Sequence, residues 1–208
     1  MGAHRRRFAA VAVVLSLILA GAAVAGPPTD QLRTQIDRVI KTLEDPALQK
    51  AGKVLERRKA VRRIAEDIFD FGETAKRSLA RHWQTRTPAE REEFVQLFSD
   101  LLERSYIGKV ELFNGERITY TGETIDGDLA MVRTRIITKQ GTEIPVDYRM
   151  HKKGEKWLVY DVVIEGVSLI ANYRTQFNKI IQTSSYEELV KKMKTKQEEF
   201  LEQEKKRT

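Results

Sequence analysis

The sequence predicts an α+β domain, in which a helical N-terminal half packs on a four-stranded antiparallel sheet and further helices follow. Hydrophobic residues recur at helical spacing between residues 27 and 106, and then at every second position from Arg117 onward. The strand candidates follow one another through tight turns, which is typical of an antiparallel meander with one face left for helices. With 208 residues and 41% hydrophobic content, the chain is long enough for one well-buried domain.

The first 25 residues form a segment of their own. Three arginines at positions 5–7 precede an apolar run, and the small residues Ala23-Val-Ala25 precede Gly26. This is the pattern of a secretory signal peptide cleaved after Ala25, with an uncleaved membrane anchor as the alternative. We therefore expect a signal peptide over residues 1–25, a single domain over residues 26–208, and export to the bacterial periplasm.

The composition narrows the function classes. The chain has no cysteine, so it uses neither a disulfide nor a lipid anchor attached to cysteine. Its formal charge falls from +7 to +4 when the three arginines of residues 1–25 are removed. Cations and acids are interleaved along the rest, without the aromatic and basic pattern of a nucleic-acid platform. A mildly basic surface suits anionic lipid head groups or acidic partners.

The first predicted helix covers residues 27–43, with Thr29 or Asp30 as its N-cap, and ends near Asp45. A second amphipathic stripe covers residues 54–68 within a heavily charged stretch. Its basic cluster is either a solvated helix face or a surface for a partner or a lipid head group.

Two further helices precede the sheet. A short one is expected over residues 73–83. The next begins at Thr87-Pro-Ala-Glu90, where a Thr cap, a Pro at the first helical position and a Glu that closes a capping box occur together. This helix is expected to reach Tyr106, with large side chains that belong to the core or line a cavity.

Four strands are predicted from the period of two, with turns at Asp126-Gly127, Gln140-Gly141 and Lys153-Gly154. Pro145 falls in the third strand, and we expect it at an edge or a bulge because it has no N–H to donate. The four strands cover residues 117–123, 129–138, 143–152 and 157–164.

The densest apolar segment of the domain covers residues 157–177, where the hydrophobic period changes from that of a strand to that of a helix at Gly166 and Ser168. A strand that is apolar on both sides has to be covered on both sides. A last helix opens at a second capping box, Ser185-Tyr-Glu-Glu188, and runs into a charged tail. The predicted strand faces are Leu158, Tyr160, Val162 and Ile164 on one side, and Trp157, Val159 and Val163 on the other.

Few residues of the sequence are candidates for a catalytic role. His82 and His151 lack the spaced partners that a metal site needs, and the segment around Ser168 lacks the second glycine of a nucleophile elbow. Asp161 and Glu165 would lie about 13 Å apart along a regular strand, whereas a glycosidase pair needs about 5 to 10 Å. We expect Asp161 to be a hydrogen-bonded interior or rim acid. We predict no catalytic residue, no metal, no cofactor and no enzymatic activity.

Several separated segments carry a family likeness. Residues 80–83 (Ala-Arg-His-Trp), 87–91 (Thr-Pro-Ala-Glu-Arg), 93–98 (Glu-Phe-Val-Gln-Leu-Phe) and 101–106 (Leu-Leu-Glu-Arg-Ser-Tyr) occur in that order, followed by 159–168 (Val-Tyr-Asp-Val-Val-Ile-Glu-Gly-Val-Ser) and by 172–174 (Asn-Tyr-Arg) through Phe177. Together they resemble the MlaC family, also called toluene-tolerance periplasmic proteins. The likeness covers residues 30–195, nearly all of the expected mature chain.

The resemblance implies a monomeric periplasmic carrier whose cargo is a phospholipid. Its partners would be an inner-membrane ABC transporter complex with an MCE-domain subunit and an outer-membrane complex of a lipoprotein and a porin. By shuttling lipid between them, the Mla pathway would maintain outer-membrane lipid asymmetry. The alternatives are a hopanoid or other lipid carrier of the same family and an adaptor subunit of an envelope complex that binds no lipid.

The resemblance also implies a cleft between sheet and helices that takes the acyl chains. Of the two faces of the last strand, we expect the one with Tyr160, Val162 and Ile164 to line it, since Asp161 would be a poor neighbour for a hydrocarbon. The candidate cleft residues are Trp83, Phe98, Tyr106, Tyr148, Tyr160, Val162, Ile164, Val167, Leu169 and Tyr173.

Overall fold

The computed structural model describes residues 26–50 and 52–205, so the predicted signal peptide lies outside the described residues. Along the chain, helices come first and last and the strands of the sheet come between them, which confirms the α+β prediction. The elements in chain order are α1 (Pro27–Glu44), α2 (Val54–Ile68), α3 (Phe71–Leu79) with a 3₁₀ turn (Ala80–Trp83), α4 (Pro88–Glu111), β1 (Arg117–Asp126), β2 (Leu129–Ile137), β3 (Glu143–Lys153), β4 (Lys156–Ile164), β5 (Val167–Ser168), α5 (Leu169–Thr183) and α6 (Tyr186–Lys205).

The sheet is an antiparallel meander in the order β1-β2-β3-β4-β5, with five strands where the sequence predicts four. The extra strand follows a two-residue turn in which Glu165 and Gly166 both have positive φ, 49° and 82°. That backbone matches the twist of a tight hairpin, so the chain reverses and Val167 pairs with Ile164. The predicted turn at Gly166 is therefore the tip of a short hairpin.

A β-bulge at Tyr160 changes which residues of β4 share a face. Val159 lies opposite Met150, whereas Asp161 lies opposite Arg149, so Tyr160 has no partner in β3. An extra residue shifts the alternation of side chains by one position.

The bulge overturns one prediction about β4. Val159 and Val162 share a face because they lie opposite Met150 and Tyr148, which are two residues apart. The prediction that Tyr160 shares a face with Val162 and Ile164 is wrong.

Two local expectations also need correction. The N-cap of α1 is Gly26, and Thr29 lies inside the helix, where its amide and hydroxyl donate to Glu123 Oε2 at 2.7 and 2.6 Å. Pro145 lies in an interior strand, where its carbonyl accepts from the Glu165 amide just beyond the last β3–β4 pair. The N–H that Pro145 lacks would face the same side as this carbonyl, toward the β4–β5 turn and beyond the last paired residue of β4.

The predicted capping box of α4 is confirmed. The Glu90 amide donates to Thr87 Oγ1 at 3.2 Å, and the Thr87 amide donates to Glu90 Oε2 at 2.7 Å. At the start of α6 the Glu188 amide donates to Ser185 Oγ at 3.1 Å, which is one half of the second predicted box. Helix α4 continues past the predicted end at Tyr106.

Buried apolar side chains form two separate clusters. The helical cluster lies between α3, α4, α5 and α6, and the sheet cluster lies where α1 and α2 cover one face of the sheet. Each fully buried large side chain contributes about 1.5 to 3 kcal/mol. The helical cluster is Ala75, Leu79, Phe94, Leu97, Phe98, Ile170, Phe177, Tyr186, Leu189, Val190 and Met193. The sheet cluster is Leu32, Ile64, Ile68, Ala130, Val132, Met150, Trp157 and Val159.

Candidate functional site

Partly buried apolar side chains lie at the edges of both clusters. In α4, every residue from 101 to 107 is half-buried, whereas Phe94, Leu97 and Phe98, earlier in the same helix, are buried. On the sheet, Tyr148 and Val162 pack at the edge of the sheet cluster without being enclosed by it. Protein interiors are normally filled to crystal-like density. These incompletely covered apolar side chains at the edges of the two clusters, called the candidate layer below, are therefore the candidate site.

Tyr148 shows how deep this layer lies. Burial raises the pKa of Tyr148 to about 12, yet the side chain is only half-buried by accessible surface. The same face carries Tyr120, whose pKa is raised by burial and by the nearby Tyr148. Tyr148 lies directly opposite Val162 of β4, so the two side chains share the sheet-cluster face.

Aromatic residues form the helical side of the site. The Tyr173 ring of α5 packs edge-on against Phe98 with 5.1 Å between centroids. Tyr106 of α4 lies against Tyr173: burial raises the pKa of Tyr106, and the proximity of the Tyr173 hydroxyl and a hydrogen bond with it raise that pKa further. The two tyrosines thus link α4 to α5 at the edge of the helical cluster.

The Asp161 carboxylate fixes the start of α5 to β4. It is 3% exposed and accepts hydrogen bonds from Ser168 Oγ at 2.6 Å, from the Ile170 amide at 3.1 Å and from Arg149 Nη1 at 3.1 Å. Ser168 Oγ in turn caps the helix by accepting from the Ala171 amide at 3.0 Å. The prediction of a hydrogen-bonded interior acid is confirmed. This junction holds the first turns of α5 beside the strand.

Six of the ten predicted cleft residues are half-buried side chains on the sheet-cluster face of β3 and β4, on the second half of α4, or on the first two turns of α5: Tyr106, Tyr148, Val162, Ile164, Leu169 and Tyr173.

The other four candidates lie elsewhere. Phe98 is 1% exposed inside the helical cluster, and Trp83 lies at the end of the 3₁₀ turn beneath the guanidinium of Arg91. Tyr160 lies on the opposite face of the sheet because of the bulge, with the Arg77 guanidinium 3.9 Å from its ring centroid. Val167 is 58% exposed on the short edge strand β5.

Sequence reasoning missed three residues of the site. Tyr120 alternates with polar neighbours in β1, and that period of two is the signal that would have found it. Leu101 and Leu102 of α4 pack at the edge of the helical cluster. Leu101 and Leu102 continue the same helical spacing of apolar residues as the buried Leu97. The sequence therefore offers no signal that separates a residue inside the cluster from one at its edge.

Ion pairs join α2 to α4. Glu111 accepts from Arg57 Nη2 at 3.1 Å and from Arg58 Nη2 at 2.8 Å. Burial alone would raise the pKa of Glu111, but the hydrogen bonds and charges of Arg58 and Arg57 outweigh it, and its pKa is lowered. Arg62 Nη1 lies 2.9 Å from Glu103 Oε2. Part of the basic cluster of α2 therefore bridges two helices instead of facing solvent.

The histidines have ordinary structural partners. His82 Nε2 lies 3.0 Å from Asn178 Oδ1, and His151 Nε2 lies 3.2 Å from Asp70 Oδ2. Within residues 26–50 and 52–205, no group of three or more His, Cys, Asp or Glu side chains is placed to hold a metal ion. In the same ranges, no helix combines the length and apolarity needed to cross a bilayer.

Three depressions of the described surface run along α1, between α4 and α6, and between α1 and β4. The third is lined by Leu32, Ile68, Met150 and Trp157 of the sheet cluster.

Comparison with known proteins gives the family. The family model described as MlaC protein matches residues 33–195. The chain belongs to the MlaC family. Its MlaC-family relatives include the intermembrane phospholipid transport system binding protein MlaC of Haemophilus influenzae, 27% identical over 120 residues, which are 55% of this chain and 56% of that protein.

A second MlaC-like relative is the toluene tolerance protein ttg2D of Pseudomonas putida, 25% identical over 125 residues, or 59% of this chain and 58% of that protein. The matches thus span between half and two thirds of these relatives. Among solved structures, the phospholipid-binding protein of Ralstonia solanacearum, determined in complex with a phospholipid, superposes with a TM-score of 0.75. It is 24% identical and the match covers 85% of this chain and 99% of that one, which establishes a shared fold.

Proposed function

We propose that this MlaC-family protein is a periplasmic phospholipid carrier without enzymatic activity. The observation that carries the proposal is the division of the buried apolar residues into two clusters, with half-buried apolar and aromatic side chains at their edges. A single contiguous core is the usual arrangement for a domain of this size. An apolar ligand that fills the layer between the clusters would complete the packing of both.

The cost of moving a free lipid through water explains why such a layer is needed. Two acyl chains contain roughly 30 methylenes, and at about 0.8 kcal/mol each their exposure costs on the order of 25 kcal/mol. A carrier has to offer an apolar slot of similar quality. We assign the slot to Val162 and Ile164 of β4 with Tyr148 on one side, and to Tyr106 and Tyr173 on the other.

The names of the relatives support phospholipid as cargo. The H. influenzae relative is named as the binding protein of an intermembrane phospholipid transport system, and the R. solanacearum protein was solved with a phospholipid. We extend this to a shuttle that exchanges lipid with an inner-membrane ABC transporter complex bearing an MCE-domain subunit and with an outer-membrane lipoprotein–porin complex. Its effect would be to maintain outer-membrane lipid asymmetry, and it would act as a monomer without a cofactor.

The decisive experiment is native mass spectrometry of the protein purified from the periplasm, followed by identification of the bound lipid. We expect one phospholipid per chain, and Val162→Asp should reduce its occupancy about tenfold because a buried carboxylate is costly beside hydrocarbon. Val162→Trp fills the same position without adding charge and should also exclude the lipid.

Leu129→Asp is the matched control, because Leu129 lies opposite His151 on the other sheet face and is exposed. It should leave occupancy unchanged, and circular dichroism of every variant verifies folding. A wild-type protein that is free of lipid and extracts none from vesicles would refute the carrier. An obligate complex with another envelope protein in that case would identify an adaptor.

A further inference from the structure

Exposed aliphatic side chains occur together where α2 begins and α4 ends. Leu112 is 77% exposed at the C-cap of α4, and Val54 and Leu55 are 39% and 50% exposed in the first turn of α2. Single exposed leucines are common on protein surfaces, but a group of them marks an interaction site. These three residues are called the apolar tip below.

The ion pairs of Glu111 bring the two halves of the apolar tip together. Glu111, next to Leu112, binds both Arg57 and Arg58. Val54 lies on the same side of α2 as these arginines, since residues three and four apart share a helix face. The three side chains of this bridge are largely buried, so the end of α4 is held beside the start of α2. The apolar tip is therefore a fixed surface of the fold.

Cations surround the apolar tip. Leu55, Lys59 and Arg63 follow one another at four-residue intervals and form one exposed stripe of α2. Lys109, one turn before Leu112, is exposed as well. In the part of the chain that the structure describes, no acid forms an ion pair with Lys59 or Arg63. These cations are available to an external anion.

The charge of the whole domain is concentrated here. Residues 50–63 contain seven Lys or Arg and one Glu, a formal charge of +6, which falls to +3 when Glu66, Glu103 and Glu111, the acids paired with Arg57, Arg58 and Arg62, are included. Residues 26–208 together carry +4, which is the +7 of the full sequence less the three arginines of residues 1–25, so the rest of the domain carries +1. Such a charge distribution orients a molecule toward a negatively charged surface before contact.

We propose that the apolar tip and its cations dock the protein on an anionic phospholipid bilayer. Aliphatic side chains that protrude from a basic surface insert into the boundary between head groups and acyl chains, while Lys and Arg bind the head groups. Leu112 is 77% exposed, so its side chain can enter the boundary between head groups and acyl chains. Lys59 and Arg63 form no ion pair with an acid of the described residues, so they can bind the head groups.

Docking here would serve the carrier, and this part of the argument rests on the proposed function. The apolar tip lies at the end of α4 whose half-buried residues border the proposed lipid layer, and beside the ion pairs that join α2 to α4. A bilayer that contacts this end of α4 would lie next to the place where a lipid enters the proposed layer. Because few aliphatic groups insert, the contact is reversible, as a protein that has to leave the membrane requires.

The experiment is co-sedimentation of the purified periplasmic protein with vesicles of phosphatidylglycerol and phosphatidylcholine in equal parts, and with phosphatidylcholine alone. We expect binding to the anionic vesicles only, and its loss between about 0.1 M and 1 M salt as the screening length falls from about 10 to about 3 Å. Leu55→Ser with Leu112→Ser should weaken binding about tenfold, and Lys59→Glu with Arg63→Glu should abolish it.

The matched control is Ile125→Ser with Leu129→Ser. These residues are 47% and 44% exposed at the β1–β2 hairpin, but Asp126 and Asp128 flank them there. The control variant should bind like wild type. The proposal is overturned if the control variant loses as much vesicle binding as the tip variants, or if the wild-type protein does not bind vesicles. It is also overturned if the tip variants still bind vesicles but no longer bind an acidic protein partner.

The bound lipid of the same variants separates this proposal from the proposed function. A Leu55→Ser and Leu112→Ser protein that retains its lipid in native mass spectrometry but no longer sediments with vesicles supports docking by the apolar tip alone. A wild-type protein that sediments with anionic vesicles but never contains lipid supports docking and refutes the carrier.

Discussion

The Asp161 junction allows a quantitative test of how α5 is held against the sheet. The carboxylate accepts from Ser168 Oγ, from the Ile170 amide and from Arg149, and Ser168 passes the interaction on to the Ala171 amide. Two of the amides that every helix leaves without an internal partner are thus satisfied by one acid and one hydroxyl. The perturbation is Asp161→Asn, which keeps the shape and removes the charge.

Removal of each contact in Asp161→Asn lowers the free energy of unfolding. The amide oxygen of Asn still accepts from Ile170, but its NH₂ group faces the Ser168 hydroxyl and the Arg149 guanidinium, which leaves the hydroxyl without its acceptor. Loss of a hydrogen bond to a charged group costs about 1.5 to 3 kcal/mol. Loss of a carboxylate at a helix N-terminus adds about 0.3 to 1 kcal/mol. The Arg149 side chain is 39% exposed, so its ion pair adds little.

Asp161→Asn should therefore lower the free energy of unfolding by about 2 to 4 kcal/mol. Each kcal/mol lowers the melting temperature of a domain of this size by about 2 to 4 °C. Asp161→Ala should cost more, since the Ile170 amide is then buried without a partner.

The assay is urea unfolding followed by circular dichroism, with an unchanged m-value as the check on the two-state assumption. Asp147→Asn on β3 is the control, because no described residue forms a hydrogen bond or ion pair with Asp147. If Asp161→Asn costs no more than Asp147→Asn, the junction does not hold α5.

Three further predictions concern stability in urea unfolding. The folded pKa of Glu111 lies below its ordinary value of 4.5, so its stabilisation is complete above that pH and is lost as the pH falls through the folded pKa. Glu111→Gln should therefore cost about 1 to 2 kcal/mol at pH 7 and progressively less as the pH falls below 4.5. A difference that stays constant with pH would contradict this. Gly26→Ala should destabilise by about 1 to 3 kcal/mol, because the added methyl overlaps the Glu123 carboxylate, whereas Gly108→Ala, at an open position of α4, should stabilise by about 0.5 to 1 kcal/mol. Glu165→Asn should stabilise by about 1 kcal/mol, since Asn tolerates the positive φ of the β4–β5 turn; a destabilised variant would show that the Glu165 side chain has another role.

The sequence predicts the position of the candidate site only in part. The apolar pattern of residues 157–177 singles out Val162, Ile164 and Tyr173 because it is dense and changes its period. Phe98 has the same apolar character, but three aromatic rings pack against it, at 5.1 to 5.8 Å between centroids, so it belongs to the core. Whether an apolar side chain is core or cleft depends on what lies opposite, and the sequence pattern carries no such information.

The sequence by itself determined the α+β class, the capping box at Thr87, the meander and the family likeness, because helix periods, caps and tight turns depend on residues that are close in the chain. Only the tertiary structure decided the two separate clusters, the pairing of Arg57 and Arg58 with Glu111, and the sidedness of β4. The bulge at Tyr160 is the clearest case. A bulge exists only relative to the neighbouring strand, so the alternation of β4 alone could not reveal that Tyr160 and Val162 lie on opposite faces.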